Sequence, residues 1–107
     1  MSIEQSQSVD FIGTESDGKT VTLTATDHLE WGNNEHLLLL QEKMNSYLAF
    51  IESGEVFESY PEAKGKILKI SIVCKHKANK EGEVFLAKCQ EVIEGAGIKF
   101  EYRTHEI

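Results

Sequence analysis

The sequence predicts one α+β domain over residues 1–107, built as a two-layer sandwich of a four-stranded mixed sheet with two helices on one face. Alternating apolar and polar residues mark four strands, and two longer stretches have helical spacing. The elements follow one another in the order ββαβαβ. Each strand has one apolar and one polar face, so both helices are expected to cover the same side of the sheet.

The first two strands form a predicted hairpin. Residues 8–14 alternate, and this phase turns Val9 and Phe11 toward the core and Ile12 away from it. Asp17-Gly18 is a strong signal for the connecting turn. The second strand follows with an apolar face and a threonine face. Its inward residues are predicted to be Val21, Leu23 and Ala25, and its outward residues Thr20, Thr22, Thr24 and Thr26.

A polar loop and a long amphipathic helix occupy residues 26–54. Asn33 or Asn34 is the predicted N-cap, and Gly54 is predicted to end the helix. At 100° per residue one apolar stripe forms, while Leu38 falls alone on the far side. The stripe consists of Leu37, Leu40, Met44, Tyr47, Leu48 and Ile51, flanked by Leu39 and Phe50.

The second half repeats the strand and helix pattern after a short helical turn at residues 55–60. Residues 67–77 are the predicted third strand, residues 80–95 the second long helix and residues 98–106 the last strand. The inward strand residues are predicted to be Leu68, Ile70, Ile72, Cys74, Ile98, Phe100 and Tyr102. The helical stripe is predicted to be Phe85, Leu86, Cys89, Val92, Ile93 and Ala96.

Two strand orders are compatible with right-handed crossovers on one face, namely 1-2-3-4 and 2-1-3-4. The uncovered face is rich in Thr, Lys, Glu and Arg, although parallel strands usually have both faces covered. A homodimer that covers this face would resolve the conflict. Self-association is therefore one expectation.

Composition limits the class of partner. The chain has a net charge of -7, with eleven acidic and two basic residues in positions 1–60 and seven acidic and nine basic residues in positions 61–107. This distribution argues against nucleic-acid binding and permits a basic protein partner. No signal peptide or membrane span is evident, so we expect a cytoplasmic protein with Cys74 and Cys89 reduced and buried.

The one close group of titratable residues is Asp27, His28, Glu30 and His36. Histidine beside carboxylates can act as a general base or a metal ligand. Their spacing matches no metal motif, so the favoured interpretation is structural: Asp27 closes an Asx turn, and His36 caps or packs in the first helical turn. We assign no catalytic residue, metal or cofactor.

Trp31, the sole tryptophan, precedes the long helix. Its favoured role is a plug over the seam between helix and sheet, and its alternative role is an anchor for a partner. Off-stripe Leu38 supports the alternative. The predicted partner-binding residues are Asp27, His28, Glu30, Trp31 and Leu38.

The phrase Asp27-His28-Leu29-Glu30-Trp31, with the helix sequence after it and the Tyr60-Pro61 and Lys64-Gly65 corner, resembles a family of small bacterial proteins of unknown function. The resemblance covers most of the chain. It implies a self-contained bacterial domain and brings no activity or ligand with it.

The predicted function is a non-enzymatic protein-interaction module of adaptor or immunity-like type. The alternative is a small-molecule or metal-assisted site around Asp27, His28, Glu30 and His36. An enzyme or small-molecule site needs these groups to meet beside a concave pocket, whereas a protein-binding surface needs an exposed apolar patch.

Overall fold

The structure, a computed structural model, describes residues 11–105. Residues 8–10 and Glu106, which belong to predicted strands, lie outside this range. The strands are β1 (Phe11–Thr14), β2 (Thr20–Asp27), β3 (Ile67–Cys74) and β4 (Lys99–Thr104). The helices are α1 (Asn34–Glu52), α2 (Glu55–Ser59) and α3 (Lys80–Gly95), and a 3-10 turn at Pro61–Ala63 follows α2.

The strand order is β1-β2-β3-β4, the first of the two predicted orders. β1 is antiparallel to β2, whereas the β2–β3 and β3–β4 pairs are parallel. The α+β class and the mixed four-stranded sheet are thus confirmed. Since β2, β3 and β4 are parallel, their carboxyl ends meet at one edge of the sheet, which is where the loops into α1 and α3 begin.

β3 is shorter than predicted and ends at Cys74 instead of Lys77. Its neighbour β2 ends at Asp27, which lies opposite Cys74 in the ladder. The backbone N–H of Lys75 donates a last hydrogen bond to the carbonyl of Asp27 at 2.8 Å. Beyond this point β3 has no neighbouring strand on that side, so the alternating pattern runs on into a loop.

Both long helices begin at the predicted caps. The Asn33 side chain accepts a hydrogen bond from the backbone N–H of Glu35 at 2.8 Å, and the Asn79 side chain accepts one from Gly82 at 2.7 Å. These bonds satisfy backbone donors that a helix start leaves open. Gly54 follows α1 with a φ of 83°, a left-handed conformation that favours glycine.

The core lies between the sheet and the helices. Fully burying each large aliphatic side chain stabilises the fold by about 1.5–3 kcal/mol. The most buried apolar residues of this core are Val21, Leu23, Ala25, Leu40, Tyr47, Val56, Ala63, Ile70, Ile72, Leu86 and Ile93.

The predicted phase of β1 is wrong. Phe11 is 59% exposed, whereas Ile12 packs against the core. Ile12 lies opposite inward Leu23, and Phe11 lies opposite outward Thr24. Directly opposed residues of an antiparallel pair share a face, so the well-determined phase of β2 fixes that of β1.

The helical stripes also differ from the prediction. On α1 the buried stripe includes His36 and Lys43, whereas Leu37 is half-buried and does not belong to the core. At 100° per residue this is a rotation of about 40° from the predicted stripe. On α3 Val92 is exposed and Gly82 is buried, and Ala96, the residue after the helix, is exposed as well. Apolarity alone misplaced both stripes, and on α3 the buried Gly82 faces the Trp31 ring.

The face of the sheet opposite the helices carries its own polar network. Lys69 Nζ lies 2.8 Å from Glu15 and 2.8 Å from Glu101. Thr22 donates to Glu15, and Ser71 contacts Glu101 at 3.4 Å. The long side chains of this network partly resolve the conflict over an uncovered parallel sheet, since Ser71 is buried beneath them. No helix within residues 11–105 is long and apolar enough to cross a membrane.

Candidate functional site

A cleft opens at the carboxyl ends of the parallel strands, where open α/β sheets commonly bind ligands. Its volume is about 610 Å³. Loop residues 28–33, the first turns of α1 and the start of the β3–α3 connection form the wall. The lining residues are His28, Leu29, Glu30, Trp31, Gly32, Asn33, Glu35, His36, Leu39 and His76.

Asp27 and His36 form a buried pair behind this wall. The Asp27 side chain is fully buried, and its Oδ2 lies 2.6 Å from Nε2 of His36. Its Oδ1 accepts a hydrogen bond from the backbone N–H of Leu29 at 3.1 Å, which is the predicted Asx turn. Asp27 therefore holds both the loop that leaves β2 and the first turn of α1.

The second ring nitrogen of His36 has no hydrogen-bond partner in the part of the chain that the structure describes. The side chain is 2% exposed, and Nδ1 makes no hydrogen bond within residues 11–105. Asp27 accepts from Nε2, and in the neutral form of the ring Nδ1 is then an acceptor. A buried polar atom without a partner costs about 1–3 kcal/mol, and in that form of the ring Nδ1 is an unsatisfied acceptor in a side chain of the cleft wall.

Trp31 packs as the predicted plug. Its indole Nε1 donates a hydrogen bond to the carbonyl of His76 at 3.0 Å, and its ring centroid lies 4.3 Å from that of His36. A Cβ built on Gly82 would come within 2.5 Å of the indole ring. Trp31 thus ties the loop to α1, to the β3–α3 connection and to α3.

The structure brings the predicted group together only in part. His36, His28 and Glu30 line the cleft, with His28 and Glu30 exposed, whereas Asp27 lies behind His36. Glu35 and His76 also belong to the wall and were not predicted. A signal for His76 was present in the sequence, because the residues that follow parallel neighbouring strands meet at the same edge.

The residues that the structure describes offer neither a cluster of metal ligands nor an ionised thiol. Within residues 11–105 no three His, Cys, Asp or Glu side chains are placed to hold one metal ion. Both cysteines are free; Cys74 is buried and Cys89 is half-buried rather than fully buried as predicted. Burial raises the pKa of Cys74 to about 12, with a further contribution from Asp27, and that of Cys89 to about 11. Both thiols are therefore protonated at neutral pH.

Leu38 lies away from the cleft wall on the outer side of α1 and is 58% exposed. Glu35 and Glu42 are its neighbours at helical spacing, and both are exposed. This small apolar spot surrounded by carboxylates matches the position predicted for Leu38. The partner-binding role of Asp27, His28, Glu30, Trp31 and Leu38 stays a prediction.

Comparison with known proteins gives a family without an activity. No curated protein and no solved structure is detectably similar to the chain. One family model, described as a family of unknown function (DUF6572), matches residues 1–106. This match confirms the resemblance to a family of unknown function and covers nearly the whole sequence. The chain belongs to this family, DUF6572.

Proposed function

We propose that the protein binds a small organic molecule carrying a primary amine in the cleft at the carboxyl ends of β2 and β3. The observation that carries the proposal is Nδ1 of His36, a buried side chain of the cleft wall, which has no hydrogen-bond partner among residues 11–105. An amine N–H would donate to this acceptor and remove the cost of burying it unsatisfied. The Asp27 carboxylate fixes the ring from the other side, at 2.6 Å.

The remaining wall residues support the same ligand class. Glu30 and Glu35 are exposed in the cleft and supply negative charge for an ammonium group. Leu29 and Leu39 are half-buried and offer an apolar wall for a short carbon chain. The cleft volume of about 610 Å³ is in the range of sites that hold small organic ligands.

Access to Nδ1 requires a local movement. The Trp31 ring lies against the His36 ring, and Nδ1 is shielded from water. We expect a ligand that bonds Nδ1 to displace part of the indole, which packs against this ring. Among residues 11–105 the indole donates one hydrogen bond, to the carbonyl of His76, so such a displacement breaks this polar contact.

The test compares small primary amines with alcohols of the same carbon skeleton, using two-dimensional NMR of the labelled protein. We expect the amines, and not the alcohols, to shift backbone signals of residues 28–39 and 76. The imidazole nitrogen signals of His36 should move in the same titration. Shifts scattered over the surface, or an unchanged His36 ring in the presence of bound amine, would contradict the proposal.

Two pairs of variants separate binding from folding. Glu30→Gln with Glu35→Gln removes both cleft carboxylates and should weaken amine binding by about tenfold or more, since each charged hydrogen bond contributes about 1.5–3 kcal/mol. Glu52→Gln with Glu62→Gln makes the same change in net charge at exposed positions away from the cleft. Equal weakening by both pairs would mean that overall charge, and not the cleft, determines the binding.

A second candidate is the protein-interaction module, adaptor or immunity-like, with the acidic outer side of α1 as its surface. Leu38 supports it, because this exposed leucine lies between Glu35 and Glu42 and suits a basic partner with an apolar anchor. In affinity capture, Leu38→Ser should lose a partner that the wild type retains. Val84→Ser, at a valine 53% exposed on α3, is the matched control and should retain it.

A further inference from the structure

The open edge of β4 has a set of unpaired backbone groups. The backbone N–H of His105 donates to the carbonyl of Cys74 at 2.8 Å, so the odd-numbered residues of this strand face β3. Backbone groups alternate sides along a strand, and those of Phe100, Tyr102 and Thr104 therefore point away from the sheet. Within residues 11–105 they have no backbone partner.

The side chains along this edge alternate in charge. Lys99, Glu101 and Arg103 are exposed on the face opposite the helices. Tyr102, 42% exposed, lies on the helix side of the edge, and its ring centroid is 6.3 Å from that of Phe100. A second copy of β4, added antiparallel, would place side chains of the same face directly opposite each other.

Charge discriminates among the registers open to two such strands. Pairing Glu101 with its counterpart opposes two carboxylates and also sets Lys99 against Arg103, which is repulsive. Pairing Tyr102 with its counterpart sets Glu101 against Arg103 twice. It also pairs Phe100 with Thr104 twice, so every outward backbone N–H and C=O of the strand gains a partner. A register centred on Phe100 sets Glu101 against Lys99 but leaves Thr104 beyond the ladder.

We propose that two copies of the chain associate through β4 in the register centred on Tyr102 and form a continuous eight-stranded sheet. The polar network continues across the junction. Lys69 already bridges Glu15 and Glu101 within one copy, and Arg103 of the second copy adds a cation beside Glu101. The sequence of charges then alternates from Glu15 to Arg103 of the other copy. This surface is separate from the cleft and does not depend on the proposed ligand.

The test uses two single variants that repel themselves and attract each other. Arg103→Glu opposes two carboxylates in its homodimer, and Glu101→Lys opposes two cations in its own. Each should weaken self-association by about tenfold or more in sedimentation equilibrium. In a mixture of the two variants, each contact between positions 101 and 103 joins a carboxylate and a cation. Association should then return to near the wild-type level. A misfolded variant could not give this rescue.

Two controls fix the register and the surface. Lys99→Glu should leave the dimer unchanged, because Lys99 meets no charged β4 residue in the register centred on Tyr102; loss with Lys99→Glu alone would identify the register centred on Phe100. The double variant Thr22→Glu with Thr24→Glu adds charge to the open face of the sheet and should leave the dimer unchanged. Loss of the dimer with this variant alone would place the contact on the open face and overturn the proposal. A wild type that stays monomeric at millimolar concentration would overturn the proposal, and the edge charges would then be protection against strand addition.

Discussion

Two aspartates at opposite ends of β2 show how differently one residue type can be satisfied. Asp17 is exposed and accepts hydrogen bonds from the N–H groups of Lys19 at 2.8 Å and Thr20 at 3.1 Å, and from the Thr20 hydroxyl at 3.0 Å. All its partners lie within three residues. Asp27 is fully buried, and its partner His36 is nine residues away.

The difference separates local turn chemistry from chemistry that depends on the tertiary fold. The Asp17 turn is formed by residues adjacent in sequence and does not depend on the rest of the fold. The Asp27 pair exists because the loop length and the orientation of α1 bring a histidine to the strand end, and it leaves Nδ1 of His36 without a partner among the residues described. An unsatisfied group of this kind is the structural feature that a binding site uses.

Removal of Asp27 should give the largest effect. Asp27→Ala leaves the Nε2 of His36 and the N–H of Leu29 buried without their acceptor, and we expect a loss of about 3 kcal/mol in the free energy of unfolding. Asp17→Ala, at the exposed turn, should cost clearly less. Urea denaturation of both variants makes the measurement. Equal losses would remove the distinction between the two ends of β2.

The next effect tests the packing around the buried pair. Gly82→Ala would place a methyl group within 2.5 Å of the Trp31 ring, and such overpacking destabilises by about 1–3 kcal/mol. Gly95→Ala is the control on the same helix, since a Cβ there has no neighbour within 4 Å. It should be neutral or stabilise by up to about 1 kcal/mol. Thermal denaturation followed by circular dichroism should separate the two. A stabilising Gly82→Ala would show that the indole contact is loose.

A smaller effect should appear in the pH dependence of stability. Hydrogen bonds, first from the Lys19 N–H, lower the pKa of Asp17, and the Lys69 ammonium lowers the pKa of Glu15. A carboxyl with a lowered folded pKa stabilises the fold above its unfolded pKa, and this contribution is lost as the pH falls through the folded value. Asp17→Asn and Lys69→Gln should therefore each flatten the loss of stability below about pH 4. Glu52→Gln is the control, and an equal flattening there would refute the assignment.

The smallest effect concerns Cys74, which lies opposite Asp27 in the sheet. Its pKa of about 12 leaves about one thiol in ten thousand ionised at pH 8, so labelling of the native protein should be slow. Asp27→Asn removes a neighbouring negative charge and should speed labelling of Cys74 by a few-fold. Cys89 reports general opening. If both thiols accelerate equally, the variant acts through unfolding and not through charge.

Local signals made most of the fold predictable. The ends of the helices are marked by Asn33, Asn79 and Gly54, through hydrogen bonds or backbone geometry that involve adjacent residues. The alternation of β2 fixed a face without reference to any other element. The β1 phase failed because its four described residues carry apolar side chains on both faces, and only the pairing with β2 decides between them.

The site was less predictable because its contacts depend on elements that are distant in the sequence. Asp27 and His36 could be identified as a group, but their contact depends on how α1 is rotated against the sheet. Buried Lys43 shows the rotation most clearly: its ammonium lies 5.4 Å from the Tyr47 ring centroid, and no apolarity pattern places a lysine there. His76 joins the cleft from a distant part of the sequence, which only the parallel pairing of β2 and β3 makes close.

The position of Trp31 gives the molecule an intrinsic optical reporter. The chain has one tryptophan, and its ring rests on His36 in the wall of the cleft. When tryptophan is excited selectively over the three tyrosines, the emission of the native protein comes from this single place and responds to its polarity and to quenching by the imidazole. A ligand that displaces the indole to reach Nδ1 must change the spectrum without any added label. Occupancy of the cleft can thus be followed by intrinsic fluorescence, in dilute protein and in real time.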